Sequence, residues 1–354
     1  MDITSIIATL KEHIPGWVEE SAIVGLSVAL IADARIVWSR GFGYQDKAAE
    51  QPVTPATIFQ AASLSKPVFA YIVLKLAATG MLDLDTPLND YMPEPYIADE
   101  LRLPLITARC VLCHTPGFPN WRSEEKPLAI YFTPGERFSY SGEGYMYLQK
   151  VVEHVTGESL TELAKTHIFQ PFDMPSSSYM WIEPYDTLAA QGYKATGEPA
   201  EVRKMDTPNA AYTLYTTPSE FARFVCAIME PRESPAYLST AQTAEMLRPH
   251  VSVNDNPDWG DNWPATDFQV NQEVSWGLGW GLEHVPGGDI FWHWGNNGVF
   301  KASVMGSQTQ KTGLVMMSNS ANGLKLCTKL YAATLPGPHP GIAWLESPYK
   351  GSIQ

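Results

Sequence analysis

Apolar residues recur along this chain in distinct rhythms, and each predicts an element. Ile3, Ile6, Ile7, Leu10, Ile14 and Trp17 fall at helical spacing around Lys11 and Glu12, which predicts an amphipathic first helix. Ile23 to Ile31 and Arg35 to Tyr44 are β-rich runs meeting at Asp33, the pattern of a hairpin. An almost unbroken apolar run then extends from Val68 to Ala78. A helix over about Leu64 to Thr79, apolar nearly all round, belongs between layers rather than on a surface. Pro67 is tolerated in its first turn but frees the carbonyl of Ser63, and Gly80 supplies a left-handed cap.

From about residue 80 to 235 the pattern is mainly helical with long loops. Ser159-Leu160-Thr161-Glu162 and Thr217-Pro218-Ser219-Glu220 both read as capping boxes, the second with proline at the first helical position. Ile106 to Leu112 reads as a helix entering a Pro-Gly turn. Tyr145, Leu148, Val152 and Val155 mark another helix that ends at Gly157. Asn254 to Glu273, polar and acidic with Trp259 and Trp263, reads as an exposed loop. Strands return from Trp276: Leu278 to Glu283, Ile290 to Trp294, Val299 to Gly306 and Leu314 to Asn319. A last helix over about Gly323 to Ala333 precedes a proline-rich end. No internal repeat is evident.

Strands at both ends and helices between them predict an α+β protein. Its antiparallel sheet, flanked by helices, is closed by residues 1–60 and 236–354, with a mainly helical lobe over 61–235 inserted. A length of 354 residues agrees with two lobes, and a cleft between them is the natural place for a site. The net charge of −14, with no basic cluster to offset it, argues against nucleic acid and anionic membrane surfaces as partners. No apolar run approaches the roughly 18 residues of a membrane span. Asp2 stands where a secretory signal carries basic residues, so a soluble, cytoplasmic protein is expected. The four cysteines, Cys110, Cys113, Cys226 and Cys327, read as reduced structural thiols. Cys110-Val111-Leu112-Cys113-His114 matches a haem-attachment pattern, but it falls in the helix-to-turn segment and the attachment requires export. The histidines lack ligand spacing, and neither a metal nor another cofactor is expected.

Three segments carry candidate chemistry. In Ser63-Leu64-Ser65-Lys66 a hydroxyl and an amine lie three residues apart at the start of the buried helix, within reach of one another. A serine becomes a useful nucleophile when a neighbouring base takes its proton, and a helix N-terminus favours developing negative charge. The same S-x-x-K pattern at Ser123 to Lys126 and at Ser347 to Lys350 opens no apolar helix. In Pro134 to Tyr145 a turn delivers Tyr140-Ser141 to the head of a helix. A phenol beside an ammonium is drawn toward the phenolate, which can serve as base for Ser63, although a turn tyrosine also serves simple packing. In Trp292-His293-Trp294-Gly295-Asn296, His293 lies on a strand, and Gly295 lets a ligand approach the backbone. A strand histidine by itself is commonly just a satisfied polar group.

Taken together, these motifs resemble those of the serine β-lactamase-like superfamily, in particular its class C branch. That branch includes class C β-lactamases, D-Ala-D-Ala carboxypeptidases, D-aminopeptidases and family VIII carboxylesterases. The resemblance spans about residues 20 to 335. It rests on the order of S-x-x-K, Y-S-N-like and K/H-x-G motifs, on the segment Ile106 to Pro119, and on the helix start at Thr217 to Phe224. It implies that Ser63 is the acylated nucleophile and that Lys66 and Tyr140 form a coupled base. It further implies an oxyanion hole made by the backbone N–H groups of Ser63 and Asn296. His293 would hold the substrate's carboxylate side or tune the tyrosine. Trp121 would line the acyl-side pocket, with Gly142, Trp294 and Gly295 also contacting substrate.

Two departures bear on the substrate. Gly142 stands where β-lactamases keep an asparagine that orients the acyl side chain. His293 stands where they keep lysine, and an imidazole holds a carboxylate less firmly near neutral pH. Lys311-Thr312-Gly313 reproduces the third motif literally but falls in the turn between the last two strands. The expectation is therefore a serine hydrolase acting on a small ester, amide or peptide, with weak or no β-lactamase activity. The rivals are a D-amino-acid peptidase or carboxypeptidase, an acyltransferase, and a covalent acyl-binding sensor without turnover.

Overall fold

The computed structural model describes residues 2–255 and 269–346. The first helix, α1 (Ile3–Glu20), leads into the hairpin of β1 (Gly25–Ala32) and β2 (Arg35–Asp46), and then β3 (Gln51–Pro52) and β4 (Phe59–Ala62). The helices α2 (Ser65–Ala78), α3 (Ala108–Leu112), α4 (Gly142–Thr156), α5 (Leu160–Ala164) and α6 (Tyr185–Leu188) follow. The short β5 (Leu214–Thr216) comes next, then α7 (Pro218–Met229) and α8 (Thr240–Met246). The rest of the sheet is β6 (Val251–Asn254), β7 (Val270–Trp276), β8 (Gly281–Glu283), β9 (Ile290–Asn297), β10 (Phe300–Ser307) and β11 (Thr312–Ser318). Two helices, α9 (Cys327–Thr334) and α10 (Pro340–Glu346), close the described chain.

Nine strands form one antiparallel sheet in the order β3-β2-β1-β11-β10-β9-β8-β7-β6, and β4 pairs with β5 apart from it. Its central strands alternate between two apolar cores. Leu26, Val28 and Leu30 of β1 pack with α1 and α9, whereas Ala29 and Ile31 face α7 and the helices that precede it. Because both faces are covered, these strands read in sequence as near-continuous apolar runs. At the hairpin, Asp33 and Ala34 have φ of 50° and 53°, so both turn residues are left-handed, as the twist of a two-residue hairpin loop demands.

Several sequence expectations are corrected. Residues 254 to 273 are not simply an exposed loop: β6 and β7 occupy its flanks, and Trp259 and Trp263 lie outside the described residues. The outer half of β7 is mostly exposed and carries Asn271, Gln272 and Glu273, so its polarity hid a strand. The proline-rich end holds α10, anchored by the Trp344 indole, which donates to the Asn254 carbonyl at 2.6 Å. Ser159-Glu162 is a reciprocal capping box, but the second box is half made. Thr217 accepts from the Glu220 N–H, while the Glu220 carboxylate is taken by Ser176 and Ser177. Gly80 and Gly157 end their helices with φ of 75° and 71°. Among the described residues no helix is long and apolar enough to cross a membrane.

Candidate active site

Strand β4 and helix α2 present Ser63. The pairing of β4 with β5 is bulged between Gln60 and Ala62, and Ala62 itself has a left-handed φ of 51°. A bulge followed by a strained residue re-aims the chain abruptly, an arrangement that recurs at functional sites. Ser63 stands on that corner, the one residue within 57–74 that is not buried. The regular helix begins at Ser65 with Leu64 as its N-cap, so Ser63 sits just ahead of the helix. Its carbonyl, deprived of a donor by Pro67, instead accepts from the Lys66 N–H at 3.0 Å.

Ser65, which pattern reading passed over, fastens this corner. Its hydroxyl donates to the Ala62 carbonyl at 2.6 Å and accepts from the Leu214 N–H at 2.9 Å. Its carbonyl accepts from the Tyr179 hydroxyl at 2.7 Å.

Lys66 is fully buried. Its Nζ lies 3.1 Å from the Ser63 Oγ and 2.8 Å from the Ala211 carbonyl. The rings of Tyr140, Tyr145 and Trp121 surround it, with centroids at 4.7, 5.6 and 5.9 Å. Burial among rings and a carbonyl disfavours the ammonium and holds this amine well below the usual lysine range. The Tyr140 side chain also hydrogen-bonds to Ser63. Burial raises the Tyr140 phenol, and the bond to Ser63 only partly opposes that rise. Burial thus works against the phenolate expected from the sequence. In so dry a place an amine and a phenol are more stable than an ammonium and a phenolate.

Two buried histidines stand behind this trio. His114, in the Ile106–Pro119 segment, was not singled out as a site residue. Its φ of 59° bends the chain so that its ring lies against that of Tyr140, centroids 4.2 Å apart and tilted by 30°. Its Nδ1 accepts the Ser141 N–H at 3.0 Å, gripping the residue after Tyr140. Ser141 caps α4, accepting from the Gly144 N–H at 3.0 Å, and donates to the Pro119 carbonyl at 2.8 Å. The neighbouring Cys113 is a buried free thiol.

His293 is also fully buried, and donates from Nδ1 to the Trp294 carbonyl at 2.7 Å. Its Nε2 is buried without a hydrogen-bond partner among the described residues. Burial first, and then the Lys66 charge, pull this imidazole down to about 3. The ring is enclosed and carries no charge at neutral pH. It packs 6.3 Å from the Tyr140 ring. Trp294 is likewise only 8% exposed, wedged among Tyr140, Trp276, Trp292 and Trp344. It backs Tyr140.

Gly295 permits a close approach, but the approaching group belongs to the protein. A Cβ there would sit 2.3 Å from the Ala61 carbonyl oxygen. The absent side chain thus draws β9 against β4 and sets the backbone of Asn296 beside the Ser63 corner. Asn296 is exposed, and its side-chain oxygen accepts from the Gly298 N–H and the Lys301 amine. Trp121 is half-buried and lies directly on Gly142, where a Cβ would come within 2.5 to 2.8 Å of three indole ring atoms.

The other S-x-x-K copies are not assembled this way. Ser123 to Lys126 is non-helical, and Ser347 to Lys350 lies outside the described residues. Lys311 turns between β10 and β11 and pairs with Glu230 at 2.9 Å. No cluster of metal-ligating side chains is found among the described residues.

A family model described as Beta-lactamase matches residues 8–334. The chain is 28% identical over 235 residues to Esterase EstB of Burkholderia gladioli, covering 57% of this chain and 59% of that protein. It is 25% identical over 232 residues to Protein flp of Staphylococcus aureus (strain MW2), covering 61% and 45%. The chain thus spans about half the length of the curated relatives it matches. Among solved structures, an octameric penicillin-binding protein homologue from Pyrococcus abyssi superposes with a TM-score of 0.77 at 23% identity, covering 96% of this chain and 77% of that one. A Beta-Lactamase/D-Alanine Carboxypeptidase from Pseudomonas syringae gives 0.78 at 20%, covering 95% and 99%. At these identities the structural likeness speaks for the fold.

Proposed function

The chain belongs to the beta-lactamase family, and on that footing we propose that it is a serine hydrolase forming an acyl-enzyme on Ser63 with small ester or amide substrates, with little or no β-lactamase activity. One observation carries this reading: a buried amine of depressed basicity lies 3.1 Å from a hydroxyl at the one accessible point of its segment. Neutral Lys66 takes the Ser63 proton as Oγ attacks the acyl carbon. The tetrahedral oxyanion lies toward the backbone N–H groups of Ser63 and Asn296, each such donor being worth about 10²–10³ in rate. As the intermediate collapses, the Tyr140 hydroxyl protonates the departing alcohol or amine and is reprotonated from Lys66. Water then attacks the acyl-enzyme by the same proton path in reverse, releasing the acid and restoring Ser63.

The departures from the β-lactamase pattern support the ester and small-amide side of the reading. The buried His293 offers no cation to a β-lactam carboxylate, and residue 142 has no amide. The esterase among the relatives points the same way. Initial rates on short p-nitrophenyl esters and on nitrocefin, with Ser63→Ala as control, test the proposal. Ester turnover abolished in Ser63→Ala is expected, and efficient nitrocefin turnover with idle esters would overturn it. The carboxypeptidase named in the Pseudomonas syringae title keeps a second reading open to measurement: release of D-alanine from a D-Ala-D-Ala peptide would move the assignment there.

A further inference from the structure

A second buried lysine stands near the Ser63 corner and has no part in the proton path. Lys301 lies on β10, directly across the ladder from Asn296 on β9. It is only 7% exposed, and an ammonium is costly to enclose unless something holds it. Its Nζ donates to the Asn296 side-chain oxygen at 2.5 Å. The same oxygen accepts from the Gly298 N–H at 3.0 Å. Gly298, with a left-handed φ of 66°, opens the two-residue turn between Asn297 and Phe300. One amide oxygen therefore ties a cation to the turn that joins β9 and β10.

The neighbours of Asn296 are fastened to β4, the strand that leads into Ser63. Gly295 packs on the Ala61 carbonyl, and the Asn297 amide donates to the Gln60 side-chain oxygen at 3.0 Å. Side chains alternate along a strand, so Gly295 and Asn297 face β4 while the Asn296 side chain turns to the opposite face, where Lys301 meets it. Around Lys301 on that face are Ser318, its partner on β11, and Gly323, where a Cβ would sit 2.8 Å from the Lys301 Cβ. The nearby ionisable groups are Lys325 of the same 3₁₀ turn, Gly323–Leu326, which is exposed, and Tyr331 of α9. Tyr331 is a buried phenol that bonds Ser303, two places along β10, and burial keeps it protonated. Burial is the cause that pulls the Lys301 amine down to about 8.

We propose that Lys301 is a positioning residue for the Ser63 site: by holding the Asn296 side chain it fixes the β9–β10 turn and keeps the Asn296 N–H directed at the oxyanion formed on attack by Ser63. This rests on the hydrolase reading above, in which Asn296 supplies one oxyanion donor. That oxyanion exists only as the transition state is approached, so holding the donor raises kcat more than it tightens binding. A hydrogen bond from a charged amine is about twice as strong as one from a neutral donor, so the hold weakens as Lys301 loses its proton.

The test uses the full chain with p-nitrophenyl acetate, the Ser63→Ala rate being subtracted at each pH. Native kcat should be level below about 8 and fall above it. Lys301→Met should cost about 10-fold in kcat at pH 7, less than an oxyanion donor removed outright, with KM near the native value. It should also lose the alkaline limb. Lys301→Arg, whose guanidinium keeps its proton, should restore most of kcat and stay level through the same range. Asn296→Ala keeps the backbone N–H but removes the acceptor, so it should lose as much as Lys301→Met. The double variant should lose no more than either alone, because the two side chains act as one unit. If the larger Arg does not fold, the Met variant and this cycle still decide. Native kcat in Lys301→Met, an alkaline limb that it leaves in place, or full additivity in the double variant would overturn the proposal. Fluorophosphonate labelling of Ser63 separates the two levels. Absent labelling together with absent ester turnover sinks the hydrolase reading and this inference with it, whereas intact labelling with an indifferent Lys301→Met sinks this inference alone.

Discussion

The imidazole of His114 lies against the ring of Tyr140, centroids 4.2 Å apart, while its Nδ1 takes the N–H of Ser141, the next residue. One side chain thus fixes both the plane of the phenol and the turn that delivers it. His114 grips the Tyr140 turn rather than bonding to Ser63, so its expected effect is positional. His114→Ala should lower ester kcat by about 10- to 100-fold, the scale expected when a reacting group is misplaced by about an ångström. KM should stay near the native value. Steady-state kinetics beside a thermal melt would show it, and a stable variant with native kcat would remove the role.

Lys66→Met removes the amine proposed to take the Ser63 proton and should cost about 10²–10⁴ in acylation rate, the usual span for a general base. Lys66→Arg should be equally inactive because guanidinium keeps its proton. In the native protein the amine must be neutral to act, so kcat/KM falls as pH drops and the amine charges. Burial holds that titration well below the usual lysine range, so the acid limb of kcat/KM should lie below that range too. A rising limb centred in the ordinary lysine range would contradict this.

Tyr140 is raised by burial and should remain a phenol at neutral pH. A difference spectrum of native protein against Tyr140→Phe should show no tyrosinate band at pH 7. Tyr140→Phe should nevertheless lose at least about 10²-fold in turnover, as expected for a missing proton donor. A tyrosinate signal at neutral pH would restore the phenolate mechanism.

His293 couples folding to pH. Its folded value is pulled down to about 3, below the ordinary histidine value of 6.5, so the unfolded chain binds more protons between the two. Its contribution to stability is therefore fully present above pH 6.5 and is lost as pH falls toward 3. Denaturant titrations across that window should show a shallower loss for His293→Asn than for the native chain. Identical slopes would show that the buried ring stays uncoupled from folding.

Gly295→Ala places a methyl 2.3 Å from the Ala61 carbonyl oxygen and would push β9 away from β4. A destabilisation of about 1–3 kcal/mol is expected from such overpacking. Ester turnover should fall far more than the folded fraction does, because Ser63 and Asn296 lie on the separated segments. Chemical denaturation combined with active-site labelling separates the two effects.

Much of this was legible from residue order. The hairpin at Asp33, the buried helix after Ser63, the helix ending at Gly157 and the last three strands each announce themselves through a local period or a local turn, with only their ends shifting. The strands around residues 251–276 escaped because β7 carries its polar residues on an exposed half and so lacks a clean alternation. His114 escaped as a site residue because nothing local marks a histidine that works through a tyrosine 26 residues later; only the Ile106–Pro119 segment as a whole was noted.

The sequence by itself determined the covalent spacing of the chemistry: a serine and a lysine one helical turn apart, a tyrosine at the head of a helix, and a glycine on a strand. Those relations span a few residues, and backbone geometry is enough to read them. Only the tertiary structure decided which groups are enclosed and what fills the empty positions. The buried contact of Lys66 with Tyr140, the enclosed His293 and the indole on Gly142 depend on segments far apart in the chain meeting. Burial and long-range contact have no signature in local spacing.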